Sequence, residues 1–297
     1  MVDFYFAGNH TTRIREWVRD NNANALASYM NDKSAIQSYF NYKKEGWSGK
    51  LLIDNGAFTV HRQGGKVDID EYIEWLNEND EYIDYAIALD DIPGKPGQPK
   101  TVEEVEYSSN ITYENYLYMR ERVKSPNKLL PVFHQGDRDE FLVRYLKMPE
   151  VKYMCLSGTK IHTTSEQRNV FYSHCFRLVK KYNRQDMKFH CLGSATLDTA
   201  EKFPFASMDA TSHIQKGMYG LIICDYGTIY VGSEDVINNM SEQERGILQE
   251  LCDRYKVSLD RLTDDWLERA LFCMGYTKEL AEKTKCVETI PTKKGLF

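Results

Sequence analysis

Leu51-Leu52-Ile53-Asp54-Asn55-Gly56-Ala57-Phe58 decides the fold: three apolar residues, an acid where they end, and a glycine two places on. A short apolar run that stops at a small or acidic residue reads as a strand buried on both faces, delivering its last side chain to a surface. The same design recurs along the chain. Strand-like runs occupy residues 3–8, 51–57, 85–90, 129–135, 151–157, 188–193, 205–209 and 220–231. Helix-like segments separate most of them: 70–77, with Tyr72, Ile73 and Leu76 on one side, then 102–123, 139–146, 166–182 and the short 197–203. Strand and helix alternating eight times predict an α/β fold of the TIM (β/α)8 barrel type, in which all strands point their C-terminal ends at one site.

Two stretches disturb the alternation. Residues 9–50 are long and polar for a single connection, and the pattern predicts a helix over 22–30 within them. The stretch 220–231 contains Asp225-Tyr226-Gly227 and reads either as the last barrel strand or as a hairpin. A doubly wound sheet is the alternative architecture. After Gly232 the character changes. Ser241-Glu242-Gln243-Glu244 is a capping signature, Leu248, Leu251 and Cys252 form an apolar stripe, and a second helix is expected near 263–274. The expected organisation is a catalytic barrel over 1–232 and a small C-terminal helical appendage over 233–297, with a mobile tail from Lys285.

At 297 residues the chain accommodates a barrel of roughly 250 residues plus that appendage. Its 42% hydrophobic and 28% charged content and mean hydropathy of -0.56 describe a soluble globular protein, without the ~20-residue apolar run that spans a bilayer. Met1-Val2-Asp3-Phe4 carries no basic export signal, so a cytoplasmic location is expected. Seven scattered cysteines, an odd number, suit buried thiols in a reducing compartment. The nearest approach to a zinc set, His190-Cys191 with His213 and Cys224, has poor ligand spacing, so no metal is expected. A net charge of -6 excludes a protein that coats nucleic acid non-specifically but leaves room for a local basic cleft.

The chemistry-bearing residues sit where the strand runs stop. Asp54 is matched by Asp209 in Phe205-Ala206-Ser207-Met208-Asp209-Ala210, and two carboxylates facing each other can run glycosidic chemistry. Asp54 is equally an ordinary turn residue before Asn and Gly. In Ala88-Leu89-Asp90-Asp91-Ile92-Pro93-Gly94, adjacent acids either accept from the N1–H and exocyclic amine of a purine or cap a solvated loop. Val132-Phe133-His134-Gln135-Gly136-Asp137 offers an amide suited to a carbonyl and ring nitrogen, with His134 a general base or a packed core residue. Cys155-Leu156-Ser157-Gly158 brings small residues and open backbone groups, and His190-Cys191-Leu192-Gly193-Ser194 ends in glycine. Phe58 stacks on a base or packs in the core. Five consecutive strand ends with polar or glycine termini form a better signal than any one of them, because barrel active sites collect there. Lys95, Lys160, His162 and Lys216 are the basic candidates for holding phosphates at the same rim, against the default of solvated surface lysines.

From about residue 51 to about residue 217 the chain resembles the tRNA-guanine transglycosylases and their DNA-modifying relatives. Asp54-Asn55-Gly56-Ala57-Phe58 is similar to the family's Asp-Ser-Gly-Gly-Phe, and Asp90-Asp91 stands where its base-recognising acids stand. His134-Gln135-Gly136 resembles its Val-Gln-Gly, and Leu156-Ser157-Gly158 falls at its Gly-Leu backbone contact. Residues 191–198, Cys-Leu-Gly-Ser-Ala-Thr-Leu-Asp, look like its Met-Gly-Val-Gly-Thr-Pro-Glu-Asp, and Ser207-Met208-Asp209-Ala210-Thr211-Ser212 then falls at the nucleophile motif.

The resemblance implies Asp209 as nucleophile, Asp54 as general acid/base, and Asp90, Gln135 and Gly158 as the base-binding set, with Asp91, Gly136, Ser157 and Phe58 around them. It implies no metal or redox cofactor. The family's tRNA enzymes carry a zinc site of three cysteines and a histidine after the barrel, and no such spacing is present here. The chain is also shorter than those enzymes and has no recognisable extra RNA-binding module. The expected activity is therefore that of the DNA branch, known from phages and bacterial modification clusters. There, guanine in DNA is exchanged for a 7-deazaguanine such as preQ0 or a derivative through a covalent aspartyl intermediate, which would protect phage or plasmid DNA from restriction. The expected partners are DNA, the free bases, and a second copy or accessory modification proteins, in the host cytoplasm if the chain is phage-encoded. A zinc-free tRNA-guanine transglycosylase, a non-catalytic nucleobase-binding barrel and a deazaguanine-binding subunit of a modification complex are the alternatives.

Overall fold

A computed structural model describes residues 2–96, 98–158, 163–193, 196–284 and 287. Lys160, His162 and nearly all of the tail from Lys285 lie outside the described residues. Nine strands run parallel in one sheet: β1 Asp3–Phe6, β2 Asn24–Ser28, β3 Leu51–Asp54, β4 Tyr85–Ile87, β5 Leu129–Leu130, β6 Val132–His134, β7 Tyr153–Ser157, β8 Lys188–Leu192 and β9 Ser207–Ala210. Each is hydrogen-bonded to its neighbours in the order β5-β4-β3-β2-β1-β9-β8-β7-β6. β5 and β6 are halves of a single stave interrupted by Pro131, which has no N–H to give to a ladder. On one side Ala88 N–H donates to Leu130 O at 2.9 Å, and on the other Cys155 N–H donates to Pro131 O at 2.8 Å. The stave therefore links β4 to β7, and the eight-staved TIM-type barrel closes across the proline.

The helices alternate with the staves as expected: α1 Thr12–Asp20, α2 Lys33–Lys44, α3 Ala57–Arg62, α4 Ile69–Glu78, α5 Val102–Arg120, α6 Asp139–Leu146, α7 Ser165–Lys181, α8 Leu197–Lys202 and α9 Ser212–Met218. Thr101 with Glu104 opens α5, and Thr164 with Gln167 opens α7, each as a reciprocal capping box that satisfies two otherwise orphaned donors.

The structure corrects one element. Residues 24–28 form β2, not a helix. Asn-Ala-Leu-Ala-Ser has helix-favouring residues in its middle, but local propensity is a weak term that pairing on both edges overrides. Leu26 fills the barrel interior while Ala25 and Ala27 face the helix layer. With β2 in the ring, 220–231 is not needed as a stave: β10 Leu221–Cys224 and β11 Gly227–Tyr230 form an antiparallel hairpin outside the barrel, turning at Asp225-Tyr226.

Two apolar layers hold the molecule. A small one inside the barrel is built on Tyr5, Leu26, Leu52, Ile87, Leu130, Val132 and Cys155, and a larger one lies between staves and helices. Tyr85 and Tyr153 meet edge to face at 5.0 Å near the N-terminal ends of their strands, where Lys50 also pairs with Asp3. Beyond the hairpin come α10 Glu234–Asn238, α11 Glu242–Tyr255 and α12 Trp266–Lys283. α12 packs on α9, α1, β1 and β10, and its buried Phe272 and Met274 belong to the same core as the staves. Arg13 of α1 pairs with Asp265 and Glu268, and the buried Arg269 donates to the carbonyls of Gly217 and Leu262. A buried guanidinium must spend its donors on fixed acceptors, which ties α12 to the end of α9. Among the described residues no helix is long and apolar enough to cross a membrane.

Candidate active site

The C-terminal ends of the staves surround a cavity of about 480 Å³ whose walls include Asp54, Asp90, His134, Ser157 and Asp209, with Phe58 half-exposed at its mouth. This is where an α/β barrel presents the last residue of each strand.

Asp54 closes β3, and the chain then turns sharply through Gly56, whose φ of +79° an L side chain rarely adopts. A Cβ there would also lie 2.8 Å from Met30 Cβ. The turn aims the Gly56 N–H at Asp54 Oδ2, 3.2 Å away. Between them, Asn55 spends its whole amide on structure: Nδ2 donates to Ala88 O at 2.8 Å and to Asp90 Oδ1 at 3.0 Å, while Oδ1 accepts from Ala57 N–H at 2.8 Å. Burial, then the charges of Asp90 and Asp209, raise the Asp54 carboxyl to about 7, against a smaller downward pull from the Gly56 N–H.

Asp209 sits on β9, 5% exposed. Its Oδ1 accepts from Gly193 N–H at 2.7 Å and from His190 Nε2 at 3.2 Å. Oδ2 accepts no hydrogen bond among the described residues, on a side chain that lines the cavity. The two acids are therefore in unequal environments. One is crowded by like charge and holds its proton near neutrality, and the other is fixed by two donors on a single oxygen.

A second unit lies between β4 and β6. Asp90 Oδ2 is 2.9 Å from His134 Nε2, and His134 Nδ1 is 3.6 Å from Asp137 Oδ2, which also accepts the His134 backbone N–H at 2.8 Å. Burial opposes a charge on the imidazole, but the carboxylates of Asp137 and Asp90 on either side outweigh it and raise His134 to about 10. Ser109 donates to Asp137 Oδ1 at 2.8 Å, and Ser108 donates to Asp91 Oδ2 at 2.6 Å. His134 is thus an imidazolium at neutral pH, a fixed cation between two carboxylates, with no lone pair left to act as a base.

Gln135 donates its backbone N–H to Ser157 O at 2.8 Å and borders the cavity, and its Oε1 is buried without a hydrogen-bond partner among the described residues. An orphaned acceptor costs about 1–3 kcal/mol, which a ligand donor relieves. Gly136 borders a separate recess of about 250 Å³ beside α7. Gly158 backs onto Tyr172, whose hydroxyl oxygen would stand 2.5 Å from an added Cβ, so only glycine fits there. Lys95 lines a neighbouring groove that shares Asp90 and Asp91 with the cavity, and Lys216 on α9 donates to Thr228 of the hairpin at 3.3 Å.

Asn55, Asp137, Ser108, Ser109 and His190 complete the site and went unassigned by sequence. Asp137, three residues from His134, was the one with a local signal. Comparison with protein-family models and with curated proteins gives no match. Among the described residues no group of three or more His, Cys, Asp and Glu side chains is arranged to hold a metal ion.

Proposed function

We propose that the protein is a base-exchanging pentosyltransferase that replaces guanine in DNA with a 7-deazaguanine, through a covalent bond between Asp209 and C1′ of the nucleotide. One observation carries the reading: a single cavity holds a carboxylate anchored by one oxygen, its other oxygen without a hydrogen bond among the described residues, and a carboxyl raised to about 7. That is the division of labour that double displacement at a glycosidic carbon requires.

In the first step Asp209 Oδ2 bonds to C1′ as the N-glycosidic bond breaks. The bond's electron pair leaves with the guanine, and the protonated Asp54 neutralises that base by giving up its proton. In the second step the ionised Asp54 takes a proton from the incoming base, whose nitrogen attacks C1′ and expels Asp209. Atoms and charge balance over the pair of steps, and Asp54 ends as it began.

The electrostatics favour a nucleobase over a phosphorylated ligand in this pocket. Five aspartates line it, Asp54, Asp90, Asp91, Asp137 and Asp209, against two cationic side chains, His134 and Lys100, so the wall stays acidic on balance even with Asp54 protonated. Carboxylates in a partly desolvated site repel phosphate and attract the donor edge of guanine, its N1–H and exocyclic amine. The phosphates of the strand stay outside, and a base in a duplex has to be flipped out to enter, at a cost of a few kcal/mol.

Purified protein incubated with radiolabelled guanine and either duplex DNA or tRNA tests the proposal. Label in DNA is the expected result. Label in tRNA alone overturns the choice of substrate, and label in neither overturns the activity.

A further inference from the structure

Beneath Asp209 the barrel interior holds a row of polar groups. His190 Nε2 is 3.2 Å from Asp209 Oδ1, His190 Nδ1 is 2.5 Å from Ser207 Oγ, and Ser207 Oγ is hydrogen-bonded to the Tyr153 hydroxyl. His190 and Ser207 are fully buried, and Tyr5 sets its ring edge-on to the imidazole at 5.8 Å. His190 does not line the cavity, so it does not meet a ligand there.

The chemistry of the groups gives the row a direction. A carboxylate only accepts, so Nε2 carries the ring proton towards Asp209. In the neutral ring Nδ1 is then the accepting nitrogen, and Ser207 donates to it. Having spent its proton, the Ser207 oxygen accepts from Tyr153, whose hydroxyl burial holds firmly protonated. Every donor points the same way, and the last one ends on Oδ1, the oxygen that the Gly193 N–H also holds.

We propose that His190 is a positioning residue for Asp209: the Tyr153–Ser207–His190 row fixes the carboxylate by Oδ1 and thereby presents Oδ2 to the sugar carbon. The inference rests on the base-exchange reading above. Neither ring nitrogen is available for proton transfer with substrate, so the row orients the nucleophile and takes no proton from it. An oriented nucleophile is worth on the order of 100-fold in rate, the effect of displacing a reacting group by about 1 Å.

The test uses the full chain and three variants: His190→Phe keeps an aromatic ring but removes the donor, His190→Gln returns an N–H donor near the Nε2 position, and Ser207→Ala frees the ring to turn. Covalent adduct formation with a guanine-containing oligonucleotide is expected to slow on the order of 100-fold in His190→Phe. KM for the nucleic acid stays near the wild-type value, and His190→Gln recovers most of the rate. Ser207→Ala gives an intermediate loss, and it keeps the test alive if the phenylalanine variant does not fold. A folded His190→Phe protein that keeps the wild-type rate, or loses it only through KM, overturns the proposal. Nitrogen-15 NMR of histidine-labelled wild type, with His190 assigned by comparison with His190→Gln, reads the row directly. A protonated Nε2 and a bare Nδ1 support it, and a protonated Nδ1 overturns it. If wild type transfers no base to any nucleic acid, the functional reading falls, and the ring-nitrogen signals still decide whether the donor row exists.

Discussion

Asn55 Nδ2 donates to Asp90 Oδ1 at 3.0 Å, tying the end of β3 to the residues that follow β4 and holding the Asp90 charge beside the adjacent Asp54. That charge is second only to burial among the causes that raise Asp54 to about 7. A protonated Asp54 is needed to release the base, so single-turnover adduct formation is expected to be fast at about pH 6 and to fall as pH rises through about 7. Rapid-quench sampling of the adduct across pH checks this. Asp90→Asn removes the neighbouring charge and should shift the fall to lower pH.

The same shift has a stability consequence. Asp54 binds its proton more tightly folded than unfolded, so its contribution is favourable below the unfolded carboxyl range and is lost as pH rises through about 7. Asp54→Asn, which cannot ionise, is expected to be more stable than wild type at about pH 8, by at most about 4 kcal/mol at ~1.36 kcal/mol per tenfold change in proton affinity. The gap should close towards about pH 4. Urea unfolding at the two pH values measures it, alongside loss of exchange activity.

His134 runs with the opposite chemistry and the same sign. Its imidazolium is favoured in the fold, so the stabilisation is full below the unfolded value of 6.5 and disappears as pH rises through about 10. His134→Gln should cost about 2–3 kcal/mol at neutral pH, less than the 3–5 of a fully buried pair because the ring is 27% exposed. The loss should shrink in alkaline buffer. KM for guanine should rise as well, since Asp90 keeps only its bond from Asn55.

Gly56→Ala adds a Cβ where φ is +79° and Met30 Cβ is 2.8 Å away. Strain at such a position costs about 1–3 kcal/mol. Because the Gly56 N–H also reaches Asp54 Oδ2, the variant should lose exchange activity out of proportion to its fall in melting temperature. A matched control such as Gly64→Ala, equally left-handed but with open space around it, should keep its activity.

Much of the fold was legible because the staves are apolar runs with punctuated ends. Asp54, Asp90, Gln135, Ser157 and Asp209 all stand at strand ends and all border one cavity. β2 was illegible for a physical reason: Asn24-Ala25-Leu26-Ala27-Ser28 has no β-branched or aromatic residue, and what makes it a strand is pairing with β1 and β3, which no window of sequence contains. The split stave at Pro131 has the same character, since only the ladder on either side reveals that the ring continues through it. The supporting cast of the site is non-local as well. His190 faces Asp209 from 19 residues away, and Ser109 reaches Asp137 across 28.

The covalent bond is the most direct test of the account. Wild-type protein held with a guanine-containing DNA oligonucleotide and no incoming base, then denatured and digested, should yield a single peptide bearing a nucleotide-derived mass at Asp209, and Asp209→Ala should yield none. An adduct that survives Asp209→Ala, or maps to another residue, contradicts the assignment of the nucleophile. No adduct in wild type under conditions where guanine exchange proceeds contradicts the covalent mechanism.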